Sequence, residues 1–173
     1  MDKMKVALLL YSLLVLGILL TKLNYIFYPF VAIILLSPLL FYSIDELGLL
    51  KNIKKGILYG LLISVVYFPF IYDKIEITIL SQVPQVFAEE IFFRGYLQTI
   101  FEDKFPSHKA IFIVSLMFCI PHIILFPSIV SALTFLPSLI FGYLFYITRS
   151  IYTSSIFHFF SNIFYIYIGQ KIL

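Results

Sequence analysis

Val86-Phe87-Ala88-Glu89-Glu90-Ile91-Phe92-Phe93-Arg94-Gly95-Tyr96 sets two carboxylates and a guanidinium inside an almost unbroken apolar run. Read as a membrane helix, this stretch carries ionisable groups near its middle. Each costs several kcal/mol to insert, so such groups face a bundle interior or a wet cavity and mark function. Glu90 and Arg94 are four residues apart, share a helix face and can pair. Glu89 is rotated from that face by about 100°, so it is free of the pair. A spare carboxylate in such a place is a candidate general base. A structural ion pair with one idle carboxylate is the competing reading.

The rest of the chain agrees with a membrane setting. Of its 173 residues, 62% are hydrophobic and 12% charged, against roughly 45–50% and about 25% in soluble domains. The 13 Tyr and 20 Phe suit interfacial belts and packed helices. The net charge is +3, with lysines scattered between apolar runs, which gives no nucleic-acid surface. Cys119 is the single cysteine. It excludes an intrachain disulfide and multi-cysteine metal sites and reads as a small buried hydrophobe. Lys3 and Lys5 before Val6–Leu20 mimic a signal peptide, but Thr21-Lys22-Leu23 offers no small-residue cleavage site. The segment reads as a retained first span.

The charges divide the chain into seven candidate spans: Val6–Thr21, Tyr25–Ser43, Gly56–Tyr72, Ile77–Phe101, Ala110–Phe126, Ser128–Thr148 and Tyr152–Gln170. A span needs about 20 apolar residues, so the first is short and reads as tilted, interfacial or partial. The expected fold is all-α, a polytopic transmembrane bundle of about seven helices (six to eight by count of spans). One domain is expected over 1–173, with its core at about 77–170. With the N-terminus inside, the inner segments carry Lys3, Lys5, Lys51, Lys54, Lys55, Lys104, Lys109 and Arg149. The outer ones carry Lys22, Lys74 and Lys171. This excess assigns the N-terminus to the cytoplasm. The polar stretch Asp45–Lys55 reads as a solvated loop with a secondary capacity to touch lipid headgroups.

Depth then groups the polar residues. Glu89 lies 13 residues before Glu102, His122 lies 13 after Lys109, and His158 and Asn162 lie 9 and 13 after Arg149. At about 1.5 Å per helical residue, all fall roughly 14–20 Å from the inner ends, so three helices can bring them to one site. Phe118 and His122 share a face, as do His158 and Asn162. Pro121 frees a backbone carbonyl one turn earlier. Pro84 is expected to kink its helix. A carboxylate base, an imidazole and two donors at one point suit water attack on a carbonyl. Taken singly, the histidines and Asn162 also read as interhelical polar contacts. Gly-x-Ser-x-Gly and His-Glu-x-x-His are both absent.

These motifs resemble a known family. Ala88-Glu89-Glu90-Ile91-Phe92-Phe93-Arg94-Gly95-Tyr96-Leu97, then Phe118-x-x-x-His122, then Gly142-Tyr143-Leu144, Arg149-Ser150 and His158-Phe159-Phe160-Ser161-Asn162 look like the CPBP family. Its members are glutamate-dependent intramembrane proteases, among them type II CAAX prenyl endopeptidases and bacteriocin-processing enzymes. The resemblance covers about half the chain, from Val83 to Asn162. It implies that Glu89 activates water, His122 helps hold it, and His158 and Asn162 stabilise the oxyanion. Glu90 and Arg94 then support the site, with Phe118 beside them. It implies a peptide or membrane-protein substrate within the lipid bilayer. Short loops, with neither added domains nor targeting segments, read as a prokaryotic plasma membrane, and the scattered lysines as no nucleic-acid partner. Family members often have eight helices, where seven fit here.

No cofactor is expected. The alternative is a zinc held by Glu89, His122 and His158 with water as the fourth ligand. A non-catalytic membrane scaffold or bacteriocin-immunity protein is the reading from another class. A proton-coupled transporter would need inverted repeats, and the sequence has none.

Overall fold

A computed structural model describes residues 2–72 and 77–169 of the chain. Lys74, Lys171 and the expected span end at Gln170 lie outside the described residues. Among the described residues all regular structure is helical. We number the helices α1 (Lys3–Leu23), α2 (Tyr25–Leu40), α3 (Ile53–Ile71), α4 (77–102), α5 (Ser107–Leu125), α6 (Ile129–Thr148) and α7 (151–169). Helices α1, α3, α5 and α6 are long and apolar enough to cross a membrane.

The first helix corrects the expectation of a short or partial span. It runs for 21 residues, because Asp2 caps it, its carboxylate accepting from the Met4 N–H at 3.1 Å. Asn24 ends α1 in extended conformation and caps the next turn through Ile26 N–H. The short helix is α2. Pro29 and Pro38 each open a new turn there, so the chain alternates between α and 3-10 geometry. Pro84 likewise does not act as the expected kink. It sits in the first turn of the α-helical part of α4, after the 3-10 turns 77–82, where its missing N–H costs nothing. The register of α4 changes further on: Ile91–Gln98 is π-helical.

Polarity is inverted relative to a soluble protein. Leu8, Leu16, Leu58, Leu62, Val66, Leu116, Leu136 and Ile147 are exposed, while Glu90, Arg94, Gln98, Ser115, Ser138 and His158 are buried. Lipid takes the place of water outside, and the polar groups are gathered within. The main core gathers Leu14, Val31, Phe92, Leu97, Val114, Phe118, Phe141 and Phe157 from six helices. A smaller cluster of Ile71, Ile79 and Ile163 closes the other side of α7.

Cross-links sort the two ends. At one end Lys104 binds Asp2 at 3.1 Å, Arg149 binds Glu102, and Asn52 Nδ2 donates to the Thr148 carbonyl at 2.9 Å. At the other end Lys22 Nζ donates to the Ile124 carbonyl at 2.6 Å, closing the carboxyl end of α5. The basic end is the one that the charge rule assigns to the cytoplasm. The loop at 41–52 is not merely solvated. Leu47 is buried, Gly48 turns with φ +79°, and its carbonyl accepts from Ile151 N at 3.2 Å.

Candidate active site

The carboxylate pair sits at the junction of the α and π parts of α4. Glu89 and Glu90 end the α-helical part, and Arg94 lies within the π turns. Glu90 and Arg94 are fully buried and pair as expected, with Nε 3.3 Å from Oε2. The guanidinium also donates to Ser138 Oγ on α6 at 2.9 Å. It lies over the rings of Phe118 (5.2 Å) and Phe141 (5.6 Å), which offer their negative faces to a cation with no water around it.

His158 on α7 joins the two glutamates. Its Nδ1 is 2.9 Å from Glu90 Oε1, a hydrogen bond. Its Nε2 is 3.7 Å from Glu89 Oε2, beyond direct bonding. Phe141 stacks on the imidazole at 4.5 Å and 19°, and Phe118 meets it edge-on at 5.6 Å. Both rings thus lie against Arg94 and His158 alike. Glu89 is the accessible member of the set, with 13% of its side chain exposed against 3% for His158. Its other oxygen accepts from Gln85 Nε2 at 2.9 Å, and Gln85 in turn accepts from Tyr28 Oη at 3.2 Å. The cluster holds two carboxylates and one fixed cation, so a proton on His158 brings its charge to zero.

The structure therefore brings together Glu89, Glu90, Arg94, Phe118 and His158. His122 is placed differently. Its Nδ1 is 2.9 Å from the Phe118 carbonyl. A carbonyl only accepts, so Nδ1 carries a proton, and in the neutral ring Nε2 is the acceptor. The Phe118 ring contacts both imidazoles, at 4.7 Å from His122 and 5.6 Å from His158. Asn162 is half-buried one turn beyond His158 and makes no side-chain hydrogen bond among the described residues. Glu89, His122 and His158 are not drawn into one ligand set. Among the described residues no three His, Cys, Asp or Glu stand where they could hold a metal.

Four contributors were not singled out from the sequence: Ser138, Phe141, Gln85 and Tyr11. Tyr11 has a readable cause. Pro121 lacks the N–H that would bind the Met117 carbonyl, and Tyr11 Oη donates to that carbonyl at 2.9 Å. The α1 helix thereby steadies α5 one residue before Phe118. A proline-freed carbonyl was visible in the sequence, but its donor, 106 residues away, was not.

Residues 73–164, just over half of the chain, match the sequence profile described as Rce1-like, type II CAAX prenyl endopeptidase. The chain belongs to that family. No curated protein and no solved structure matches it. The matched region of this type II CAAX endopeptidase relative starts just before α4 and ends within α7. It contains every residue of the carboxylate and imidazole cluster. The family is one of proteases, and its setting is the membrane.

Proposed function

We propose that the protein is an intramembrane endopeptidase in which Glu89 activates a water molecule for attack on a peptide carbonyl. The observation that carries this reading is the placing of Glu89. It is the partly accessible carboxylate of a buried cluster, 3.7 Å from an imidazole whose other nitrogen is held by Glu90. Glu90 and Arg94 neutralise each other and fix the imidazole, so Glu89 is left to take a proton. With Nδ1–H donated to Glu90, a protonated His158 presents Nε2–H beside Glu89. That N–H stabilises the oxyanion of the tetrahedral intermediate, and Asn162 one turn away supplies the second donor. His122, with Nε2 free to accept, orients the water. Glu89 then returns its proton to the leaving amine as the C–N bond breaks. The substrate is a peptide or membrane protein that reaches the site within the bilayer. The membrane is the plasma membrane of a prokaryote.

The test compares wild type with Glu89→Gln, produced at matched levels in host cells lacking the gene. Mass spectrometry then maps peptide termini in membrane and secreted fractions. Termini that appear with wild type and vanish with Glu89→Gln are expected, and they name the substrate. Identical terminus profiles, with both forms restoring the deletion phenotype, would replace the peptidase by a non-catalytic membrane scaffold.

A further inference from the structure

At the basic end of the bundle, away from the Glu89 cluster, a cavity of about 240 Å³ lies between the start of α1, the 41–52 loop and the last turns of α4. Two cations, Lys3 and Lys51, and two anions, Glu46 and Asp103, line it, together with Tyr42 and Tyr96. Its volume is that of about eight waters at roughly 30 Å³ each, enough for a phosphate and a two-carbon amine. We propose that this cavity binds the zwitterionic headgroup of a primary-amine phospholipid, a phosphoethanolamine, from the adjoining leaflet.

Four observations support this. First, the charges lining the cavity balance, so a ligand bearing one charge of each sign leaves no surplus. A purely anionic headgroup would face Glu46 and Asp103 unpaired. Second, the cations are available. Lys3 makes no ion pair among the described residues, and Lys51 is only 3.7 Å from Asp45 in a pair about half exposed, which is a weak tie. Both still act on Glu46. Its carboxyl is held below the usual range first by the Ser43 backbone N–H, then by the Ser43 hydroxyl, with Lys3 and Lys51 adding.

Third, Tyr96 is 1% exposed and its hydroxyl has no hydrogen-bond partner among the described residues. A buried hydroxyl left so costs about 1–3 kcal/mol, and a phosphate oxygen at the cavity wall would satisfy it. Fourth, the surroundings are those of a lipid. Leu40 and Phe41, immediately before Tyr42, are 80% and 68% exposed and offer apolar surface to acyl chains. The Tyr42 face is already covered by Lys3 Nζ at 5.9 Å. A quaternary choline would need that face, whereas a primary ammonium needs only the carboxylates as acceptors.

Binding is read without any peptidase assay, so the outcome is independent of the proposed activity. The full chain is reconstituted in nanodiscs of phosphatidylethanolamine, phosphatidylcholine and phosphatidylglycerol in equal parts, and native mass spectrometry records the lipid retained after release. Wild type is expected to retain one phosphatidylethanolamine, at least fivefold over either other lipid. The exposed-site double variant K3Q/K51Q should lose that retention about tenfold, and Tyr96→Phe, which removes only the hydroxyl, about threefold. Equal retention of the three lipids, preference for phosphatidylglycerol, or variants that retain as wild type does would each overturn the proposal. Displacement of the lipid by micromolar glycerophosphoethanolamine would also overturn it, reassigning the cavity to a soluble amine phosphate. Resistance to millimolar amounts is the expected result.

Discussion

At the scale of single residues, the chemistry depends on one buried ion pair and the ring beside it. Glu90 and Arg94 are both fully buried, and removing one charge strands the other in a medium that cannot solvate it. Arg94→Met is therefore expected to destabilise the protein by about 3–5 kcal/mol, while E90Q/R94M recovers most of that loss. Unfolding of the purified protein in mixed micelles measures both. Wild-type stability in the single variant would show that the guanidinium is not held against Glu90. The pair was legible in the sequence because four-residue spacing on a helix is local geometry. Phe141, which stacks on His158 and covers Arg94, was not legible. One phenylalanine among 20 carries no mark of its neighbours, and those neighbours lie on two other helices.

At the scale of elements, α4 is the unusual one. Its π-helical turns begin directly after Glu90 and include Arg94, Gly95 and Tyr96. Such turns tend to occur at functional sites. Gly95 is needed there for space. A Cβ at that position would meet the Leu47 carbonyl oxygen at 2.6 Å, so the 41–52 loop rests directly on the helix. Gly95→Ala is expected to cost about 1–3 kcal/mol by overpacking. Amide hydrogen exchange should then show faster exchange in the loop around Leu47. Unchanged exchange and stability would mean that the loop does not bear on Gly95. The helices themselves were readable, since seven apolar runs between charges correspond to seven helices among the described residues. The misjudged lengths have a physical cause. Asp2 extends α1 by a cap, whereas Pro29 and Pro38 shorten α2 by restarting it, and hydropathy counts register neither effect.

At the scale of the whole molecule, the ends of the helices are tied in a way that separates the two faces. Asp2, Glu102, Lys104 and Arg149 meet at one end, and Lys22 and Ile124 at the other. Single cysteines placed at His108 and Ile26, in a background where buried Cys119 is replaced by Ala, test which end is cytoplasmic. The His108→Cys site is expected to resist a membrane-impermeant maleimide in intact cells and to react only after permeabilisation. The Ile26→Cys site should react at once. The reverse pattern would invert the orientation, leaving the fold unchanged.

Composition and charge spacing determined, without any structure, that the chain is a helical membrane bundle with the ionisable groups of its spans facing inward. The reason is that a bilayer accepts few other arrangements of such a sequence. Motif order determined the family, and four-residue spacing determined the Glu90–Arg94 pair. Tertiary structure alone decided which polar groups meet. It set His158 between the two glutamates, turned His122 to the Phe118 carbonyl, left Asn162 without a side-chain partner among the described residues, and gave the Met117 carbonyl to Tyr11. Depth along a helix is counted from the sequence, but the direction a side chain faces is fixed only when neighbouring helices pack, and a site depends on both.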